Sequence, residues 1–157
     1  MISFDICKDA GWVTERMSQP DVAEMSFPDG ADAPSEAQIL LAMSAGGLDF
    51  VRICADDVPL GFFLLELKFP LIEIHTVISK EHRGPVAFSA ARSFIKNWLF
   101  QNYQQCEVLM TQVPKYNRPA ALFALRAGMK KSGIAGDSFC KNGKCESMEI
   151  FEIRKGE

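Results

Sequence analysis

Residues Leu71 to Tyr103 read LIEIHTVISKEHRGPVAFSAARSFIKNWLFQNY, and this stretch decides how the rest of the chain is read. Leu71 to Ile78 is an apolar, β-branched run and reads as a strand. Ser79 to Gly84 is a short polar loop. From about Val86 the period becomes helical: Ala87, Ala91, Phe94, Ile95, Trp98 and Leu99 fall on one face, and Ser89, Arg92, Ser93, Lys96, Asn97 and Gln101 on the other. A strand, an Arg-Gly loop and a helix start make a natural anion site. Unpaired N–H groups and the positive end of the helix dipole point out of the helix N-terminus. The loop is suited to a pyrophosphate.

Upstream of this stretch, Ile2 to Cys7 alternates and reads as a first strand, and Asp9 to Met17 as a short helix with Trp12, Val13 and Met17 inward. Gln19 to Ala33 contains Pro20, Pro28, Asp29 and Gly30 and reads as a long loop, a lid or substrate loop. Ser35 is an N-cap candidate without a capping box, because the next acid, Glu36, is adjacent. Its helix carries Ile39, Leu40 and Met43 and stops at Gly46-Gly47. Leu48 to Ala55 and Val58 to Phe69 are strands joined by the turn pair Asp56-Asp57. The second is apolar on both faces, with Leu60, Phe62 and Leu64 on one and Phe63, Leu65 and Leu67 on the other. That pattern marks a central, doubly covered strand.

Downstream, Glu107 to Val113 reads as a strand and Arg118 to Ala127 as a helix closed by Gly128. Two last strands, Ser132 to Cys140 and Cys145 to Arg154, flank the hairpin turn Asn142-Gly143. The order is β-α-α-β-β-β-α-β-α-β-β. It predicts an α/β (α+β) fold, a mixed and largely antiparallel sheet with helices on both faces, in one domain over 1–157.

Composition narrows the function classes. At 157 residues, 48% hydrophobic and 24% charged, the chain has an ordinary globular make-up and can bury a full core. A net charge of −3 gives no reason to expect a nucleic-acid partner. No apolar run approaches the roughly 20 residues of a membrane span, and the N-terminus lacks the basic and apolar regions of a signal peptide. Five cysteines, Cys7, Cys54, Cys106, Cys140 and Cys145, fit a reducing cytoplasm better than a disulfide framework. Cys140 and Cys145 face each other across the hairpin, with free thiols as the default expectation and a disulfide or metal half-site as the alternative. Two thiols make no closed zinc site, and no metal is expected.

The element order is similar to that of the GNAT superfamily of acyl-CoA N-acetyltransferases, and two motifs sharpen the resemblance. The family's cofactor loop runs Gln or Arg, two residues, Gly, one residue, then Gly or Ala, between the fourth strand and third helix. Here Glu81-His82-Arg83-Gly84-Pro85-Val86-Ala87 stands in that register. Arg83 and Gly84 match; Glu81 and Val86 depart, adding a negative charge and two methyl groups near the phosphate position. The second motif is an Asn-x-x-Ala helix ending in Gly, here Asn117, Ala120, Phe123, Gly128 and Met129. Where the family often carries an acid-donating Tyr, this chain has Ala124. The resemblance looks closest to small GNAT-like proteins encoded by bacteria and tailed phages, some linked to virion assembly.

The resemblance implies an acetyl-CoA-dependent transfer of an acetyl group to an amine of a small molecule or protein, with acetyl-CoA as co-substrate. The implied cofactor positions are Val77, Ile78, His82, Arg83, Gly84, Val86, Ala87 and Asn117. Glu73 and His75 share one face of the strand and are candidates to take the acceptor's proton. The plainer alternative is a satisfied His and an ion-paired Glu. Tyr116, beside the Asn117 cap, is the candidate for the missing acid, against a solvent-facing turn residue. The rival class is a non-catalytic binding or assembly module with a decayed cofactor loop. No membrane partner is expected, and a homodimer is left open.

Overall fold

In this computed structural model, which describes residues 1–157, the sheet is built from hairpins whose turns follow from residue type. Asp56 and Asp57 both take positive φ, 48° and 66°, as a two-residue loop between twisted strands requires. They join β2 (Leu48–Ala55) to β3 (Val58–Lys68). The turn at Phe69-Pro70 leads into β4 (Leu71–Ile78) with Lys68 opposite Leu71 and Glu66 opposite Glu73. β1 (Ile2–Ile6) pairs with β2 at the edge. β5 (Val108–Pro114) runs parallel to β4, and the hairpin of β6 (Lys130–Lys141) and β7 (Lys144–Arg154) completes the order β1-β2-β3-β4-β5-β7-β6. Every pairing except β4–β5 is antiparallel.

Helices cover both faces. On one, α1 (Ala10–Met17), α2 (Pro20–Ser26) and α3 (Glu36–Ala45) close a core that includes Val13, Met17, Val22, Ile39, Phe50, Phe62 and Val77. On the other lie α4 (Pro85–Ser93), its π-helical continuation Phe94–Leu99, the short α5 (Phe100–Asn102) and α6 (Arg118–Ala127). These pack on Val51, Ile53, Phe63, Leu65, Ile72, Ile74 and Leu109. Phe50, Phe62, Phe63, Phe94 and Phe151 are fully buried, each contributing about 1.5–3 kcal/mol of apolar burial. No helix is long and apolar enough to cross a membrane.

Five local expectations are corrected. Part of the long loop is helical: Pro20 occupies the first turn of α2 and Asp21 follows it, and both residue types favour a helix start. Ser35 does form a capping box, with Gln38 rather than an acid as the reciprocal partner. Leu60 joins the face of Phe63 and Leu65, because β3 bulges at Gly61: Ile53 pairs with Gly61, and Cys54 already with Pro59. A Cβ at Gly61 would collide with the Val77 carbonyl oxygen, so the close approach of β4 requires glycine there. The long helix widens to π geometry over Phe94–Leu99, where the apolar spacing carries no break.

The fifth correction is the disulfide. Cys140 and Cys145, expected as free thiols, are joined. They sit in register across the Asn142-Gly143 turn with Cα atoms 3.9 Å apart. One step beyond the residues flanking a two-residue turn, an antiparallel pair is of the closely approaching type. Cys7, Cys54 and Cys106 are free.

Candidate functional site

The sheet opens between its two parallel strands. β4 and β5 pair only at Leu71–Val108, Ile72–Leu109 and Glu73–Met110. Beyond Glu73, β4 stays paired to β3 as far as Ile78, and β5 stays paired to β7 as far as Pro114. Each strand is held on its outer edge and loses its inner neighbour, so backbone polar groups on the inner edges need another partner. A cleft of about 680 Å³ runs through this gap. It reaches Glu66, Glu73, His75, Met25 and Phe27 on the α2 side, and Gly84, Ala87, Phe88, Phe123 and Ala124 on the α4–α6 side.

On the α4 side the helix start is open. Gly84 is the N-cap with φ 121° and ψ −148°, a region left essentially to glycine, and no side chain caps the first turn. Nothing lies within 4 Å of where a Gly84 Cβ would be. Pro85 occupies the first turn and has no N–H to satisfy. Val86 is half exposed, whereas Ala87 is buried against the sheet. Arg83 reaches away from the loop: Nε donates to the Ile78 carbonyl at 3.1 Å, and the guanidinium pairs with Asp21 of α2. The hydrogen bond from Arg83 holds the Asp21 carboxyl below its usual range. His82 lies 3.9 Å from Glu81, its neighbour in the 3₁₀ turn Lys80–His82.

On the α2 side the cleft floor is a polar cluster. Glu73, only 7% exposed, and His75 share a face of β4, as strand alternation requires. Opposite them, β3 contributes Glu66 and Lys68. Glu66 Oε1 lies 2.7 Å from His75 Nε2, and Glu73 Oε1 lies 3.8 Å from the same nitrogen. Lys68 Nζ bridges the two acids, 2.9 Å from Glu66 and 3.0 Å from Glu73, while Gln112 of β5 donates to Glu73 at 3.3 Å. Hydrogen bonds to Glu66 and then Glu73 push the Lys68 ammonium up to about 12. Burial pushes Glu66 up, but hydrogen bonds from Lys68 and His75 outweigh it and hold the carboxyl below its usual range. Side-chain oxygen and nitrogen atoms of Glu66, Glu73 and His75 lie within 4.8 Å of one another. The chain's own ammonium already supplies the positive charge there.

The segment over the cleft is tied down from two places, the turn before α6 and the final hairpin. Asn117 Oδ1 accepts from Ala120 N–H as the N-cap of α6, and its Nδ2 donates to the Met25 carbonyl at 3.3 Å. The Tyr116 hydroxyl lies 3.3 Å from the carbonyls of Glu24 and Met25, and its ring packs on Phe139. Burial, with the charges of Glu146 and Glu24, pushes the Tyr116 phenol up, so it stays protonated. Lys141 donates to the Phe27 carbonyl at 2.8 Å, and Asp29 accepts from the N–H groups of Asn142 and Gly143.

The structure therefore gathers Glu73, His75, Val77, Ile78, Arg83, Gly84, Ala87 and Asn117 along one cleft, on both sides of the opened sheet. Tyr116 is turned to α2 rather than to solvent, and Val86 projects outward. Glu66, Lys68 and Gln112 escaped the sequence reading. A signal for two of them was present: Leu64, Glu66 and Lys68 alternate onto one face of β3, and the tight turn after Lys68 pairs Glu66 with Glu73 and Leu64 with His75, with Lys68 next along the same face.

No family model matches the chain. Protein p31 of Acyrthosiphon pisum secondary endosymbiont phage 1 is 29% identical over 98 residues, a stretch spanning 62% of this chain and 62% of that relative's own length. Spermidine N-acetyltransferase from Vibrio cholerae, solved with CoA and spermine, superposes with a TM-score of 0.80 at 15% identity, covering 98% of this chain and 95% of that one. A GNAT-family acetyltransferase from Bacillus anthracis superposes with a TM-score of 0.75 at 17% identity, covering 99% and 96%. At these identities the likeness is one of architecture: the chain has the GNAT fold.

Proposed function

We propose that the chain is an acetyl-CoA-dependent N-acetyltransferase acting on an amine of a small molecule or protein. The observation that carries this reading is the parting of β4 and β5 after Glu73, with an open helix start on one side of the gap and a proton-accepting cluster on the other. The same fold binds CoA and spermine in the Vibrio cholerae enzyme. Acetyl-CoA supplies the activated thioester as co-substrate. The uncapped N–H groups at Gly84 and the first turn of α4 are fitted to its pyrophosphate, with Arg83 as the cation. Val77, Ile78, Ala87 and Asn117 line the cleft beside that position, while His82 and Val86 stand outside its lining.

On the acceptor side, His75 and Glu73 take the proton of the substrate ammonium, directly or through water, freeing the nitrogen lone pair. Backbone N–H groups in the splayed strands polarise the thioester carbonyl. Tyr116, protonated and at the turn before α6, is the candidate acid on the leaving side. Met25 and Phe27 keep water from the cleft.

A second reading, a non-catalytic binding module, draws on two observations. Arg83 is already engaged by Asp21, and Ala124 leaves the family's usual acid position apolar. Calorimetric titration with acetyl-CoA and desulfo-CoA, followed by an amine panel that includes spermine, separates the two. Saturable binding with turnover is expected. Absence of both under low salt would sink the enzyme and leave the binding module.

A further inference from the structure

We propose that Glu66 and Lys68 are positioning residues that prepare His75 as a base with its free lone pair on Nδ1. Glu66 fixes the ring's tautomer. Lys68 cancels carboxylate charge that would otherwise hold the ring as imidazolium. This role rests on the acetyl-transfer reading; the tautomer and charge of His75 belong to the free protein and can be measured without it.

The tautomer follows from donor and acceptor roles. Glu66 Oε1 is 2.7 Å from His75 Nε2, and an ionised carboxylate can only accept. Glu66 is held ionised by Lys68 and His75 itself. Nε2 therefore carries the hydrogen in the neutral ring, and Nδ1 is left as the acceptor. The only side-chain partners of the ring, Glu66 and Glu73, both lie at Nε2. With 39% of the side chain exposed and the residue lining the cleft, Nδ1 is open to substrate or water.

The charge argument decides whether such a ring is a base at neutral pH. Two carboxylates at 2.7 and 3.8 Å from Nε2 would favour imidazolium strongly, and a ring already protonated takes no proton. Lys68 contacts both acids, so with a neutral ring the cluster carries one net negative charge rather than two. Both Lys68 and His75 touch the same Glu66 carboxylate, which keeps the ammonium close enough to act on the ring. No other charge upsets this balance. From β5 the neighbour is the uncharged Gln112. From α2, Asp21 lines the cleft but is paired with Arg83, and Glu24 is exposed to solvent.

The test is an NMR titration of the free protein, with His82, the only other histidine, as internal control. Lys68→Met is expected to raise the His75 midpoint by about one unit, tenfold in proton affinity, with His82 unmoved. Lys68→Arg should restore it, and Glu66→Gln should lower it. Imidazole ¹⁵N shifts above the midpoint should report the Nε2–H tautomer, with that preference weakened in Glu66→Leu, where Glu73 is the one carboxylate left beside Nε2. Lys68 and Glu66 are 54% and 31% exposed, and the amide spectrum verifies that each variant is folded. An unmoved His75 midpoint in Lys68→Met, or an Nδ1–H tautomer in wild type, would overturn the assignment. In active protein, the acid limb of the kcat/KM profile should track the midpoint across the variants. Turnover whose acid limb stays put would remove the positioning role and keep the enzyme. The expected titration without turnover would remove the enzyme and its base, and leave only the electrostatic coupling of the cluster.

Discussion

Two helices begin at the same cleft and begin differently. α6 starts at Asn117, whose side chain accepts from Ala120 N–H, so its first turn is partly satisfied from within. α4 starts at Gly84, which offers no side chain and sits at φ 121°. Each first turn lacks one N–H at a proline, Pro85 in α4 and Pro119 in α6, and each carries the positive end of its dipole. The difference is in the cap: one end is closed by a side chain that also grips the segment over the cleft, and the other has no side-chain cap. A helix N-terminus keeps its first N–H groups free when its cap is withheld and the backbone around it is held in place by other means.

The comparison can be broken most directly at Gly84. Gly84→Ala should cost about 1–3 kcal/mol of stability in urea denaturation, since its Cβ meets no atom and the whole penalty is backbone conformation. A negligible cost would mean that the loop does not hold this geometry in solution. If the α4 start takes the pyrophosphate, Arg83→Ala should weaken acetyl-CoA binding by about 1–3 kcal/mol, read by calorimetry. Unchanged affinity would move the phosphates away from this loop.

At the other helix, Asn117→Ala should lower stability by about 1 kcal/mol, the usual worth of an N-cap. Asn117→Asp should recover most of that, because the acceptor survives and only the donor to Met25 is lost. Equal losses in both variants would assign the stability to the Met25 contact instead.

The smallest effect is a pH dependence of the segment between these helix starts. Asp21, through Arg83, and Asp29, through the N–H groups of Gly143 and Asn142, both have depressed folded-state pKa values. Their contribution is therefore complete above the unfolded carboxylate value near ~4 and is lost as pH falls through the lower folded values. Hydrogen-exchange protection of 20–29 should drop over that interval before protection in β3 does. Simultaneous loss in both would show that the two anchors do not hold the segment independently.

The strand-loop-helix at Leu71 to Tyr103, the apolar central β3, the helix capped by Asn117 and closed by Gly128, and the final hairpin were all legible from period and turn chemistry. Those signals are local, set by side-chain alternation, capping residues and positive-φ turns. Legibility failed where one residue type serves two roles. Pro20 looked like a loop residue and starts a helix. Gln38 completes a capping box that the spacing of the acids had ruled out. Leu60 changes face at a bulge that alternation cannot reveal.

By itself the sequence determined the element order apart from α2, the two apolar faces of the sheet, the glycine at the start of α4 and the presence of Glu73 and His75 on one strand face. Only the tertiary structure decided that β4 and β5 part after Glu73, because that depends on which outer neighbour holds each strand. It also decided that Arg83 meets Asp21 and that Gln112 reaches Glu73. Each of these is a distance across the fold, set by register and packing between segments, and no local pattern of residues encodes it.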